Sequence, residues 1–191
     1  MWWAQLLNNV VALLDSGVPA STTAYESIAT VTVGAGGSSS IAFTSIPSTY
    51  KHLQVRWLAR GAASAGSDVI SLAVNGDSGA NYSFHRLYGD GSSVTANGYA
   101  SQTYIIGGDM PAATAGANMF AGGVMDILDY ANTSKYKTTR LLDGRDQNGS
   151  GFIWFNSGLW QNTNAVTSLT FTAQNGNYAQ YTQFALYGVK G

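Results

Sequence analysis

From Tyr25 to the end of the chain, short runs of alternating apolar and polar residues are broken by dipeptides that accept positive φ at low cost: Asn75-Gly76, Asp90-Gly91, Asn97-Gly98, Asn148-Gly149 and Asn175-Gly176. Such dipeptides suit tight reversals between antiparallel strands. Parallel sheets need helical crossovers, and no segment after Tyr25 has the three-and-four spacing that would form one. The clearest strand is His52 to Arg60, where Leu53, Val55, Trp57 and Ala59 share one face and Gln54, Arg56 and Arg60 the other. Further strands are expected at Ser27–Val33, Ser40–Phe43, Val69–Val74, Tyr82–Tyr88, Tyr104–Ile106, Phe120–Leu128, Lys135–Leu142, Phe152–Asn156, Val166–Ala173 and Gln183–Val189. That number fills two sheets, so the expected fold is all-β: an antiparallel, jelly-roll-like β-sandwich over residues 25–191.

The leading segment is different. In Met1–Ser16, Trp3, Leu6, Leu7, Val10, Leu13 and Leu14 recur at the period of a short amphipathic helix, which Gly17 and Pro19 end. It lacks the leading basic residues of a signal peptide, and Asn8-Asn9 interrupts its apolar run. It is also shorter than the roughly 20 apolar residues a membrane span needs. A helix so short and apolar needs a surface to dock on. That surface is either its own domain or another subunit, and the small, polar stretch that follows resembles a tether and favours the second. Residues 1–24 are therefore read as an anchor and tether, with Trp2, Trp3, Leu6, Leu7, Val10 and Leu13 as its contacts.

Composition narrows the functions open to the chain. Nine Lys and Arg stand against ten Asp and Glu, scattered along 191 residues, which gives none of the basic footprint of a nucleic-acid binder. With no Cys there is no disulfide, thiolate nucleophile or Cys-ligated zinc. The two His, His52 and His85, lack metal-ligand spacing. Ser83, His85 and Asp90 name a triad only on paper, because residues two apart on one strand do not set a nucleophile against its base. The acidic pairs Asp126/Asp129 and Asp143/Asp146 are the one foothold for a polysaccharide-cleaving reaction, though sequence neighbours rarely flank a scissile bond. Asp143, Asp146 and Asn148 put oxygen ligands in one run, but without EF-hand spacing or a closing Glu; a polar hairpin with Asx turns accounts for them better. No catalytic residue and no cofactor is assigned.

Binding surfaces are a better prospect. Phe152, Ile153, Trp154 and Phe155 place large side chains on both faces of one strand, as does a strand covered on both sides, a subunit interface or a sugar-stacking platform. Trp160, Tyr88 and Tyr178 are candidate contacts for a glycan or partner. The small-residue stretch Met110–Asn118 is expected to form a loop able to lie on a neighbour.

The blocks IPSTYKHLQVRWLAR (46–60), VNGDSGANYSFHRLYGDG (74–91), DYANTSKYKT (129–138), AVTSLTF (165–171) and TQFALYGVKG (182–191) resemble β-sandwich proteins from the virions of tailed bacteriophages. The resemblance covers about residues 25–191 and implies a virion structural protein without catalysis: a capsid decoration or head-fibre subunit, or else a tail-fibre module that binds host surface glycans. It implies other virion proteins, of the major capsid or tail, as partners and a homotrimer as the assembly. A chain with only 10% charged residues suits packing of this kind, since few ions lose their water when copies meet. Neither nucleic acid nor membrane is expected as a partner.

Overall fold

A computed structural model of the chain describes residues 23–191; the expected helix Met1–Ser16 and the anchoring residues Trp2, Trp3, Leu6, Leu7, Val10 and Leu13 lie outside the described residues. Twelve strands follow in order: β1 (Tyr25–Thr32), β2 (Ser40–Phe43), β3 (His52–Ala59), β4 (Ser67–Val74), β5 (Tyr82–Gly89), β6 (Val94–Gln102), β7 (Ile105–Pro111), β8 (Ala121–Leu128), β9 (Lys137–Asp146), β10 (Gly151–Trp160), β11 (Leu169–Ala173) and β12 (Gln183–Val189). They form an eight-stranded sheet, β1-β12-β3-β8-β9-β10-β5-β6, and a four-stranded sheet, β2-β11-β4-β7. All the paired strands are antiparallel. The all-β expectation is met, as a sandwich of two antiparallel sheets.

Two hairpins, β5–β6 and β9–β10, explain why the sheets differ in size. They pair with each other through β10 and β5 and extend the large sheet beyond β8. Without them each sheet would have four strands, β1-β12-β3-β8 over β2-β11-β4-β7.

The core lies between the sheets. Leu53, Val55, Trp57 and Ala59 all point into it, as the alternation in β3 predicts. The Trp57 indole stacks on Phe184 at 5.7 Å, and Phe184 in turn packs against Phe171 of the small sheet. Gly123, beside Trp57 on β8, makes room for that indole: a Cβ there would lie 2.2 Å from Trp57 Cζ2.

The recurring polar residues of the 74–91 block are joints. Asn75, at positive φ in the turn after β4, accepts hydrogen bonds from the N–H groups of Thr167 and Ser168 and donates to the carbonyl of Ala165. Asp77 accepts from the Trp160 indole N–H at 2.7 Å and from the N–H of Gly79, so its carboxyl is held below the usual carboxylate range.

Several local expectations are corrected. Asn97-Gly98 is no turn; it lies within β6, an edge strand whose small and polar residues carry no clear period. Asn75-Gly76 and Asn148-Gly149 do take positive φ at both positions, whereas neither residue of Asn175-Gly176 does. β9 runs on to Asp146, and β10 runs on to Trp160, so the turn between them is confined to Gln147–Ser150. The Met110–Asn118 segment begins as the buried end of β7. The Arg60 guanidinium then gathers it onto its own protomer by donating to the carbonyls of Ala112, Ala115, Gly116 and Met119.

Candidate functional site

The hairpin extension leaves the outer face of the large sheet uncovered among the described residues, and its register builds an apolar band there. Val124 on β8 pairs with Leu142 on β9, Leu142 with Phe155 on β10, Phe155 with Leu87 on β5, and Leu87 with Ala96 on β6. Side chains directly opposite one another in antiparallel strands stand about 5 Å apart on the same face, so these five form one continuous row. Two residues along the strands, a second row reads Leu58, Gly122, Gly144, Ile153, Gly89 and Val94. Leu58, Leu87, Val94, Leu142, Ile153 and Phe155 are each about half or more exposed. Gly122, Gly144 and Gly89 stand between them in the second row, leaving hollows beside the raised side chains.

Polar rows border the band. On one side Arg140 reaches Asp126, which also accepts from the Gln54 side chain; Arg56, which ends the Val124 row on β3, donates to Gln54 at 2.7 Å. On the other side Asp146 turns outward at the end of β9, and its Oδ1 accepts the N–H groups of Asn148 and Gly149. Exposed apolar area concentrated on one sheet face and bounded by polar residues is the signature of an interaction surface.

Tyr88 stands on the opposite face of β5, in a second feature. Where β5 and β6 overhang the small sheet, Arg86 lies over the rings of Tyr88, Tyr99 and Trp154 at about 5 Å. Phe84, Tyr99, Tyr104 and Gln102 line the adjoining cleft of about 240 Å³.

The other candidate contacts are corrected. Trp160 is 1% exposed and bound to Asp77; Tyr178 is fully buried, its hydroxyl pKa pushed up by burial. In this protomer neither ring is open to a glycan. Both aromatics read as surface candidates because a strand's end and a loop carry no periodicity that shows which way a ring turns.

The candidate cation ligands separate. Asp143 and Asp146 are three apart on β9 and take opposite faces: Asp143 is buried between the sheets and Asp146 is exposed. Asp146 and Asn148 form the Asx turn instead. Asp143 accepts the N–H of Asp109 at 2.7 Å, while the carboxylate of Asp109 pairs with Arg145. Burial pushes the Asp143 carboxyl up to about 7 and also raises that of Asp109, against the pull of Arg145. The arrangement sets a carboxyl of raised pKa beside a buried ion pair and ties β9 to β7.

The remaining polar candidates are also placed. Asp129, after β8, is bound by Lys135 and Lys51, which hold its carboxyl down at about 2. Asp126 belongs to the outer polar row, so Asp126 and Asp129 serve separate networks. His52 Nδ1 accepts the N–H of Asp129, and His85 lies on β5, four strands away across the sheet. The Asp90 carboxylate is turned into its own reversal, accepting the N–H groups of Ser92 and Ser93. The paper triad with Ser83 and His85 is therefore not assembled.

Leu58, Leu87, Leu142, Ile153 and Phe155 are the residues a reading of the sequence does not single out as a set. The two-faced run Phe152–Phe155 was the one signal available; its partners in this set come from three other strands, β3, β5 and β9. Comparison with family models and with curated proteins finds no match for this chain.

Proposed function

We propose that this protein is a non-enzymatic structural subunit of a bacteriophage virion, displayed on the particle exterior as a capsid decoration or head-fibre subunit. The observation that carries the reading is the outer apolar band from Val124 to Ala96, a flat surface suited to packing against protein. The resemblance of the 46–60 and 74–91 blocks to virion β-sandwich proteins supports it. So does the strand order, since β1-β12-β3-β8 over β2-β11-β4-β7 is that of a jelly roll carrying two inserted hairpins. In this reading residues 1–24 supply the anchor to a major capsid or tail protein. The trimeric order rests on symmetry and on the resemblance.

Antibody labelling of intact particles in the electron microscope tests the proposal. Label over the capsid exterior is the expected result; label confined to the tail tip, or no label on particles, counts against it.

A second reading, a tail-fibre or adhesin module that binds host surface glycans, has the Arg86 cleft in its favour. Aromatic rings, a guanidinium and side-chain amides meet there at an open edge. Glycan-array binding lost in Tyr99→Ala and Arg86→Ala would move the assignment to it.

A further inference from the structure

We propose that the outer apolar face is a two-fold interface with a second copy of this chain; the inference rests on reading that face as an interaction surface and specifies its partner. The pattern of the face maps onto itself. Consider a two-fold axis lying in the plane between two such faces, parallel to the rows and midway between the row of Leu142 and the row of Gly144. Each strand then lies antiparallel over its own copy, and each row faces the other row. Val124 meets Gly122 of the second copy, Leu142 meets Gly144, and Leu87 meets Gly89. Three raised side chains enter three hollows, and by symmetry the same three contacts occur again. Phe155 lies against Ile153 on the central strand, and Ala96 against Val94 at the edge.

Charge follows the same operation. Arg140 and Asp146 stand on β9 on opposite sides of the band, each one residue pair beyond it. The two-fold sets Arg140 of one copy over Asp146 of the other, twice per interface. A face that repelled itself would carry like charges on both margins.

The size lies near the lower bound for a specific interface. From β3 to β6 at about 4.8 Å per strand, and from Arg140 to Asp146 at about 3.4 Å per residue, the face measures roughly 24 by 20 Å. Over two copies that approaches the roughly 1,000 Å² expected of a specific interface, before the relief of the side chains is counted. Sheets packed in this way lie about 10 Å apart with their strands nearly aligned, as in any sandwich. The contact would add a second sandwich layer, built from the two inserted hairpins.

The test uses the full chain and measures its mass by sedimentation equilibrium and native mass spectrometry. A dimer is expected, or a hexamer where the trimer also forms; a chain that stays monomeric at all accessible concentrations, or that forms trimers only, overturns the proposal. Gly122→Leu fills a hollow without crowding its own protomer, where a Cβ makes only ordinary contacts, with Leu58 Cδ2 at 3.7 Å and the Trp57 carbonyl at 4.0 Å. It should give a folded monomer by circular dichroism, and a persistent dimer overturns the two-fold. Independently, Arg140→Asp and Asp146→Arg should each weaken the homodimer about tenfold or more, because like charges then meet twice. An equimolar mixture of the two variants should form a heterodimer, in which both contacts again join opposite charges. With both variants folded by circular dichroism, no preference for the heterodimer overturns the proposal; where one is not, Gly122→Leu decides.

Other occupants give other results. A monomeric wild type that dimerises once Trp3 and Leu6 are replaced by Asp identifies the leading segment as the cover. A monomer whose Phe155→Asp variant no longer attaches to particles identifies a different virion protein. Both outcomes reject the second copy. A dimer found on no particle would leave this inference standing and remove the virion assignment.

Discussion

Phe155 on β10 and Leu87 on β5 are direct cross-strand partners, and both project from the outer face of the large sheet with about half their surface exposed. A pair of this kind normally marks a core. Here it contributes little to the stability of the isolated protomer, because neither side chain is sealed from water.

The first prediction follows from that pair. Replacing both Ile153 and Phe155 by Ser should change protomer stability by no more than about 1 kcal/mol, as for other exposed sites. A dimer melts at a temperature that rises with its concentration. The wild-type melting temperature should therefore climb on concentration, and that of the double variant should not. Differential scanning calorimetry over a concentration series checks both statements.

Asp143 supplies a pH dependence with a definite sign. Its carboxyl lies at about 7 in the folded chain, above the ordinary 3.8, so the folded state holds the proton more tightly than the unfolded state does. This contribution is fully present below pH ~4 and is lost as pH rises through ~7, a span worth on the order of 4 kcal/mol at most. Asp143→Asn keeps an acceptor for the Asp109 N–H and removes the titration. Urea denaturation at pH 5 and pH 8 should show a smaller loss of stability in the variant than in the wild type.

Asp129 runs the other way. Lys135 and Lys51 hold its carboxyl at about 2, so its contribution is present above pH ~4 and disappears as pH falls toward 2. Replacing both lysines by Met should move the Asp129 titration up toward 3.8. Carbon-detected NMR of the side-chain carboxyl reads the shift directly.

Neighbouring glycines on β8 should respond in opposite ways. Gly123→Ala places a methyl group inside the Trp57 indole and should cost about 1–3 kcal/mol or more. Gly122→Ala meets only ordinary contacts on the outer face and should leave protomer stability nearly unchanged. Denaturant midpoints of the two variants, compared under dilute conditions that disfavour association, check the contrast.

Much of the fold was legible in local pattern. β3 and β5 were placed almost to the residue because they alternate cleanly, with one face in the core. β6 was missed because an edge strand of small and polar residues has no period to read, and its Asn97-Gly98 imitates a turn. The interaction face was harder still. Phe155 alone looks like a core residue, and Trp160 alone looks like a binding residue, yet the roles are reversed.

By itself, the sequence determined the class: strands in place of helices, antiparallel reversals, and a body with few ions, because local periodicity and turn chemistry act over a handful of residues. Only the tertiary structure decided that the β5–β6 and β9–β10 hairpins join one sheet, and that Val124, Leu142, Phe155, Leu87 and Ala96 stand in one row. Which strands become neighbours depends on pairing between segments far apart in the chain, from Tyr82 with Trp160 to Tyr25 with Val189. Alternation within one strand tells a side chain's face, but not what stands beside it or whether that face is covered.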